Sequence, residues 1–371
     1  MVTPLPTLWL YGTAAVGKTT AAWRLFGELP GPVGFVDIDQ IGMCYGPPTP
    51  EDSAPEPAYD PGRHRMKARN LDAVAANFRA AGAGCLVVAG VADPTLGPAA
   101  APMPRVGLTA LRLRADPGDL RQRIARRGRP TDELAEIVDY ADALDRLPGP
   151  CLDTTGLDAP TVVDRIRSMI GPWPGPATPG GTLATCGLPG DIILVSGPAA
   201  VGKSTVGWWV YQQLRQALER TAFLDLGQVG FRRPATAGNH RLKAANMASL
   251  WQTYAGEGAR HLVAVGPVTA EAVAVYRAAL PAARITICRL RATPATLADR
   301  VRARGRDESP ASGMAGDRLS GAPPAALDRI AAEAARDAAE LERTGVGDFT
   351  VDTDDRTPTD LAAEILTRAA A

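Results

Sequence analysis

Lysine is nearly missing from this chain of 371 residues, where four lysines stand against 36 arginines. Charge of one sign is missing too, since 40 basic residues balance 40 acidic ones. With no cation excess to neutralise phosphates, a nucleic-acid or membrane-surface binder is disfavoured. Aromatic residues, at 5%, are too few to suggest platforms for stacked bases. The five cysteines (Cys44, Cys85, Cys151, Cys186 and Cys288) are odd in number, scattered and free of any CxxC pair. That spacing argues against a disulfide framework or zinc site and for reduced thiols. Apolar runs such as Cys85–Ala89 and Ile192–Val195 are of strand length, far below the ~20 residues that span a bilayer. Met1–Pro6 carries no basic targeting region. The expectation is a soluble, cytoplasmic protein without nucleic-acid or membrane partners, its oligomeric state open.

What is present is a repeat. Leu8–Thr20, containing Gly12-Thr-Ala-Ala-Val-Gly-Lys-Thr19, recurs as Ile193–Thr205, containing Gly197-Pro-Ala-Ala-Val-Gly-Lys-Ser204. His64-Arg-Met-Lys-Ala-Arg-Asn70 recurs as His240-Arg-Leu-Lys-Ala-Ala-Asn246, and that register runs without a gap to Gly90 and Gly266. Leu113–Pro117 matches Leu290–Pro294, and Leu152-Asp-Thr154 matches Val351-Asp-Thr353. Four collinear matches predict a tandem duplication. Residues 172–181, dense in Pro and Gly, separate the copies. The predicted domains are 1–174 and 189–371, joined by a linker at 175–188. In copy one, strands are predicted near 8–12, 33–38, 85–90, 107–113 and 150–154, alternating with helices near 18–28, 64–82, 117–128, 132–146 and 159–170. Apolar strands alternating with helices imply a parallel sheet covered on both faces, with ligands at the strands' carboxyl ends.

Both glycine segments are complete P-loops, each following an apolar strand and opening a helix. In copy one, Gly12, Ala14, Ala15, Val16, Gly17, Lys18, Thr19 and Thr20 are candidate phosphate binders; in copy two they are Gly197, Ala199, Ala200, Val201, Gly202, Lys203, Ser204 and Thr205. Backbone N–H groups and a helix N-terminus cradle phosphate oxygens, the lysine reaches the terminal phosphates, and Thr19 or Ser204 suits Mg²⁺. All four lysines (Lys18, Lys67, Lys203 and Lys243) fall in the paired motifs, where a flexible point charge does what a planar guanidinium cannot. Past the second strand, copy one has Asp37 and Asp39, whereas copy two has Asp225 and Gly227. Asp37 and Asp225 are candidate metal-orienting acids, and Asp39 a general base or acceptor positioner. His64, Lys67 and Asn70, with His240, Lys243 and Asn246, share a helix face suited to a polar or anionic acceptor, as does Asp225. Neither third strand carries an acid. Arg123 and Arg127, matched by Arg300 and Arg304, are spaced to place two guanidiniums over a phosphoryl group. Asp153-Thr154 and Asp352-Thr353 end the last strands.

In this order the pieces resemble the P-loop small-molecule kinases, such as the adenylylsulfate, shikimate and gluconate kinases and chloramphenicol phosphotransferase, over roughly 8–170 and 191–370. The resemblance implies two tandem P-loop NTPase domains of nucleoside-kinase-like α/β fold, each a five-stranded parallel sheet with helices on both faces. It implies an ATP·Mg²⁺ site (GTP remaining open), an acceptor pocket lined by the Asp37 and His64–Asn70 segments, an arginine lid, and adenine near Asp153-Thr154 and Asp352-Thr353. The leading expectation is an ATP-dependent phosphotransferase acting on a hydroxyl of a small polar metabolite, with copy one the likelier catalyst. The alternative is a nucleotide-binding regulatory module whose slow hydrolysis controls a partner protein.

Overall fold

A computed structural model of the chain describes residues 3–47, 60–126, 134–171, 180–217, 219–235, 239–306 and 314–370. In chain order the elements are β1 (Leu5–Tyr11), α1 (Lys18–Glu28), β2 (Val33–Asp37), a 3-10 turn (Asp39–Ile41), β3 (Cys44–Tyr45), α2 (Pro61–Ala80), β4 (Cys85–Gly90), β5 (Val106–Arg114), α3 (Pro117–Arg126), α4 (Leu134–Asp145), β6 (Cys151–Asp153) and α5 (Ala159–Ile170). They continue as β7 (Gly190–Ser196), α6 (Lys203–Gln216), β8 (Thr221–Asp225), β9 (Phe231–Arg233), α7 (His240–Gly256), β10 (His261–Val265), α8 (Ala270–Ala279), β11 (Ala283–Arg291), α9 (Pro294–Gly305), α10 (Pro324–Thr344), β12 (Phe349–Asp352) and α11 (Pro358–Ala370). Helix starts follow local chemistry. Asp60, Asp158, Thr269 and Thr293 cap α2, α5, α8 and α9 by accepting from backbone N–H groups of the first turn.

Two compact units result, neither contiguous in sequence. Unit 1 comprises Met1–Gly42, Glu56–Leu183 and Gly230–Leu242, and unit 2 comprises Met43–Pro55, Ala184–Val229 and Lys243–Ala371. The unit 1 sheet has the order β6-β5-β1-β4-β2-β9, and the unit 2 sheet the order β12-β11-β7-β10-β8-β3. In each, five strands run parallel, and the β4 residues Cys85–Gly90 are all buried, as a strand covered on both faces requires.

The five-stranded, all-parallel sheet read from the sequence needs correction. Each sheet has a sixth, antiparallel edge strand contributed by the other copy's sequence: β9 pairs with β2, and β3 with β8. These strands are three and two residues long, too short to leave a periodicity. They cover the free edges of β2 and β8, whose unpaired backbone groups would otherwise invite aggregation. In unit 1, Phe231 lies 4.7 Å from the Trp23 ring and 5.9 Å from Phe35, and Arg233 donates to Leu29 O at 2.7 Å. In unit 2, Phe223 N donates to Met43 O at 2.9 Å. There Arg215 donates to Gly46 O at 2.9 Å and sits over the Tyr45 ring.

Candidate functional site

Both P-loops leave the C-terminal end of a central strand, β1 or β7, and enter a helix through a left-handed glycine, Gly17 or Gly202. Ala15 and Ala200 are also left-handed, at φ 63° and 62°, so both loops hold the same uncommon turn. A Cβ on Gly12 would stand 2.2 Å from Leu113 O, and one on Gly197 2.6 Å from Leu290 O. Only glycine lets the loop pass that close. Each lysine bends back over its own loop: Lys18 Nζ donates to Thr13 O and Lys203 Nζ to Pro198 O, both at 2.6 Å. Ser204 Oγ donates to Asp225 Oδ2 at 3.1 Å, which brings the hydroxyl and acid of the expected metal site together. Among the described residues no three His, Cys, Asp or Glu side chains gather in one group. One hydroxyl and one carboxylate fit Mg²⁺, which keeps several waters and takes phosphate oxygens for the rest.

Beside the unit 1 loop, β2 ends in Asp37, whose Oδ1 accepts from the backbone N–H of Asp39 at 3.0 Å. Lys67, 1% exposed, donates to Asp39 Oδ1 at 2.6 Å, and Arg63 Nη2 is 3.9 Å from the same oxygen. Gly42 makes room for this lysine, since a Cβ there would meet Lys67 Cε at 2.3 Å. Burial opposes ionisation of Asp39, but the Lys67 charge and hydrogen bond outweigh it and hold the carboxyl below its usual range. Burial and the Asp39 charge push Asp37 up to about 7. Asn70, fully buried, donates to Ile41 O at 2.6 Å and fastens α2 to the turn that carries Asp39. Asn246 does the same in unit 2, donating to Val229 O at 2.7 Å. Both asparagines were expected to bind substrate; their amides hold backbone.

His64 is buried and lies close enough to Asp93 to help depress its carboxyl, which burial opposes and hydrogen bonds from Thr95 and Leu96 favour. Tyr140 exchanges hydrogen bonds with the backbone of Ala92 and lies within electrostatic reach of Asp39, Arg63 and Asp93. Arg63, Asp93 and Tyr140 were missed by sequence reasoning. Arg63, directly before the motif histidine, was the legible one. Unit 2 differs, with Gly227 where Asp39 stands. His240, in the Gly230–Leu242 segment of unit 1, is half-buried. Burial raises Asp225 and lowers Lys243, and the two partly offset each other by charge.

The arginines depart from expectation. Arg123 donates to Thr154 O at 2.6 Å and Ala15 O at 3.4 Å, and pairs with Asp119 at 2.6 Å. Arg300 likewise donates to Thr353 O at 2.9 Å and Val201 O at 3.2 Å. Each staples its P-loop to the last parallel strand's end. Arg123 thereby lines a cavity of about 620 Å³ with Ala15, Gly17, Thr20, Gln122 and Asp158. In unit 2, Arg300, Arg304, Met314, Thr353 and Pro358 line one of about 400 Å³ with the loop residues Ala200–Thr205. Thr154 and Thr353 anchor the staples. Asp153 and Asp352, expected near a base, are exposed and paired with Arg114 and Arg291, outside the lining of either cavity. Arg304 pairs with Asp317 at 3.2 Å. Its counterpart Arg127 lies outside the described residues, as do residues 175–179 of the expected linker and most of the Pro-rich stretch 47–61. No described helix is long and apolar enough to cross a membrane.

No protein-family model and no curated protein matches the chain. Among solved structures it is similar to the Deinococcus radiodurans tunicamycin resistance protein, with 20% identity over 45% of this chain and 95% of that one and a TM-score of 0.35. It is also similar to a gluconokinase from Sinorhizobium meliloti 1021, at 18% identity over 50% and 93% with a TM-score of 0.33. A third is the Mycobacterium tuberculosis APS kinase solved with AMPPNP and APS, at 17% identity over 49% and 98% with a TM-score of 0.30. The second and third of these neighbours are kinases, and each of the three matches about half of this chain.

Proposed function

We propose that unit 1 is an ATP- and Mg²⁺-dependent phosphotransferase that phosphorylates a hydroxyl of a small polar molecule, in the cytoplasm. The observation that carries this reading is the carboxylate pair Asp37 and Asp39, held by buried Lys67 beside the P-loop that bears Lys18. Lys18 exchanges Thr13 O for the terminal phosphate oxygens and neutralises charge during transfer. Asp39, kept ionised, accepts a hydrogen bond from the acceptor hydroxyl and aims its oxygen at the phosphorus. The Lys67 charge that holds the Asp39 carboxyl below its usual range keeps it charged at neutral pH, as positioning the hydroxyl requires. Thr19 and Asp37 would hold Mg²⁺, which when bound screens the phosphate charge. The Arg123 cavity fits the nucleoside, and the His64, Arg63 and Tyr140 side is the acceptor's. Unit 2 binds nucleotide through Lys203 and Ser204. Because Gly227 supplies no second acid, the regulatory reading suits unit 2 better than unit 1.

The test is a phosphoryl-transfer screen with labelled ATP against small hydroxyl compounds, run on the native chain, Lys18→Ala and Lys203→Ala. Label transfer lost in Lys18→Ala alone supports the reading. Nucleotide binding with slow phosphate release and no acceptor would replace it with the regulatory one.

A further inference from the structure

In unit 2 the turn after β8 is tied by a side chain to the segment that follows α9. The turn itself is closed by short bonds, since Gly227 N donates to Asp225 Oδ1 at 2.8 Å and Gln228 N to Asp225 O at 2.9 Å. Its acid meets the P-loop through Ser204. Its glutamine meets a different segment. Gln228, 7% exposed, donates through Nε2 to Ala315 O at 3.1 Å, across 87 positions of sequence. Copy one also has a glutamine three residues past its first acid, Gln40 after Asp37.

Residues 314–323 form neither helix nor strand, so contacts with the rest of the unit decide where they lie. Two contacts hold the far end. Buried Asp317 pairs with Arg304, and Leu319 packs with Val301 of α9 and Leu327 of α10 in a small apolar cluster. The near end has Gln228, which holds the buried Ala315. Met314, the residue before Ala315, is 36% exposed. It forms part of the wall of the cavity of about 400 Å³ that also takes in Lys203, Ser204, Arg300 and Pro358. A buried amide gives up its bonds to water, and that of Gln228 recovers one by fixing the residue next to this wall.

We propose that Gln228 is a positioning residue for the nucleotide of unit 2: by holding Ala315, its amide keeps Met314 against the nucleoside. The proposal rests on unit 2 binding nucleotide through Lys203 and Ser204. It divides the ligand between two supports. The phosphate tail lies with the P-loop, which its own lysine and the Arg300 staple hold in shape. The nucleoside lies against a wall whose Met314 end is set by Gln228. Loss of the amide therefore weakens the hold on a nucleotide and spares the hold on a bare phosphate chain.

Calorimetry on the full chain carrying Lys18→Ala, which leaves unit 2 to supply the nucleotide equivalent, tests this with two probes, Mg·AMP-PNP and Mg·tripolyphosphate. Gln228→Ala should weaken AMP-PNP binding about three- to tenfold, the size of one lost hydrogen bond, and leave tripolyphosphate binding unchanged. Gln228→Glu, equal in shape but without the N–H donors, should match Gln228→Ala. Met314→Ala, a change outside the core, should give the same split between the probes, and it decides alone if the Gln228 variants do not fold. AMP-PNP binding unchanged in Gln228→Ala or in Met314→Ala overturns the proposal. Equal weakening of both probes also overturns it, since the loop and not the nucleoside wall would then be disturbed, and so does native AMP-PNP affinity in Gln228→Glu. A Lys18→Ala chain that takes up neither probe overturns this proposal and the nucleotide reading of unit 2 together.

Discussion

Units 1 and 2 agree closely at their glycine-rich loops and part company beside them. Both fold a lysine onto its own loop at the same distance, both turn through a left-handed alanine, and both staple the loop with an arginine donating to two carbonyls. The acid that meets the second lysine exists only in unit 1. The glycine-rich loop is shaped by main-chain groups, so it is preserved wherever the backbone is. The other side is made of side chains, and one residue, Asp39 or Gly227, resets its charge pairing.

The largest effect expected to break or sharpen this contrast is on transfer itself. On the proposed mechanism, Lys18→Ala should lower phosphoryl transfer by about 10³-fold or more, the size expected for removing a charge that stabilises the transition state. Lys203→Ala should leave transfer largely in place and remove only one of two nucleotide equivalents in calorimetry. Equal losses in the two variants would end the assignment of catalysis to unit 1. Next, Asp39→Asn should slow turnover by about 10²–10⁴-fold in steady-state kinetics. An unchanged rate would remove Asp39 from the mechanism.

The exchanged edge strands give a smaller effect. Phe231→Ala should destabilise unit 1 by about 1–3 kcal/mol, as expected for uncovering a half-buried aromatic ring. Urea unfolding followed by tryptophan fluorescence reads this through Trp23, the ring against which Phe231 packs. Unfolding unchanged from the native protein would mean that β9 does not hold that edge.

The smallest effect is in pH dependence. The Asp37 carboxyl is raised from 3.8 to about 7 by burial and by Asp39, so the folded state prefers it protonated. Its contribution to stability is present below pH 3.8 and is lost as pH rises through about 7. Asp37→Asn should therefore gain melting temperature over the native protein across that window, with no comparable gain below it. A constant difference from pH 4 to pH 8 would show that Asp37 titrates normally.

Much of the site was readable before the fold. The P-loops, the carboxylates at the strand ends and the lysine-bearing helices stand where spacing and composition put them, because each motif is short and its chemistry lies within a few residues. Other features were not readable. Asn70 and Asn246 looked like ligand groups, and only the fold presents them with a backbone carbonyl. Arg123 and Arg300 looked like a lid, yet Thr154 and Thr353, far along the chain, hold their guanidiniums down. Asp93 and Tyr140 reach the surroundings of His64 and Asp39 from β4's following loop and from α4, and no spacing rule joins either to Lys67.

The amino-acid sequence by itself determined where the chain must make its two glycine-rich turns, and which hydroxyl and acid stand near them. Those are properties of contiguous backbone, set by glycine, lysine and strand ends within one turn of each other. Tertiary structure decided which charges are spent on one another and which copy's strand closes each sheet. The ion pair between Asp39 and Lys67 joins residues 28 positions apart, and β9 reaches β2 from nearly 200 residues further along the chain. Such pairings form only after the sheets and helices have packed, so no local pattern announces them.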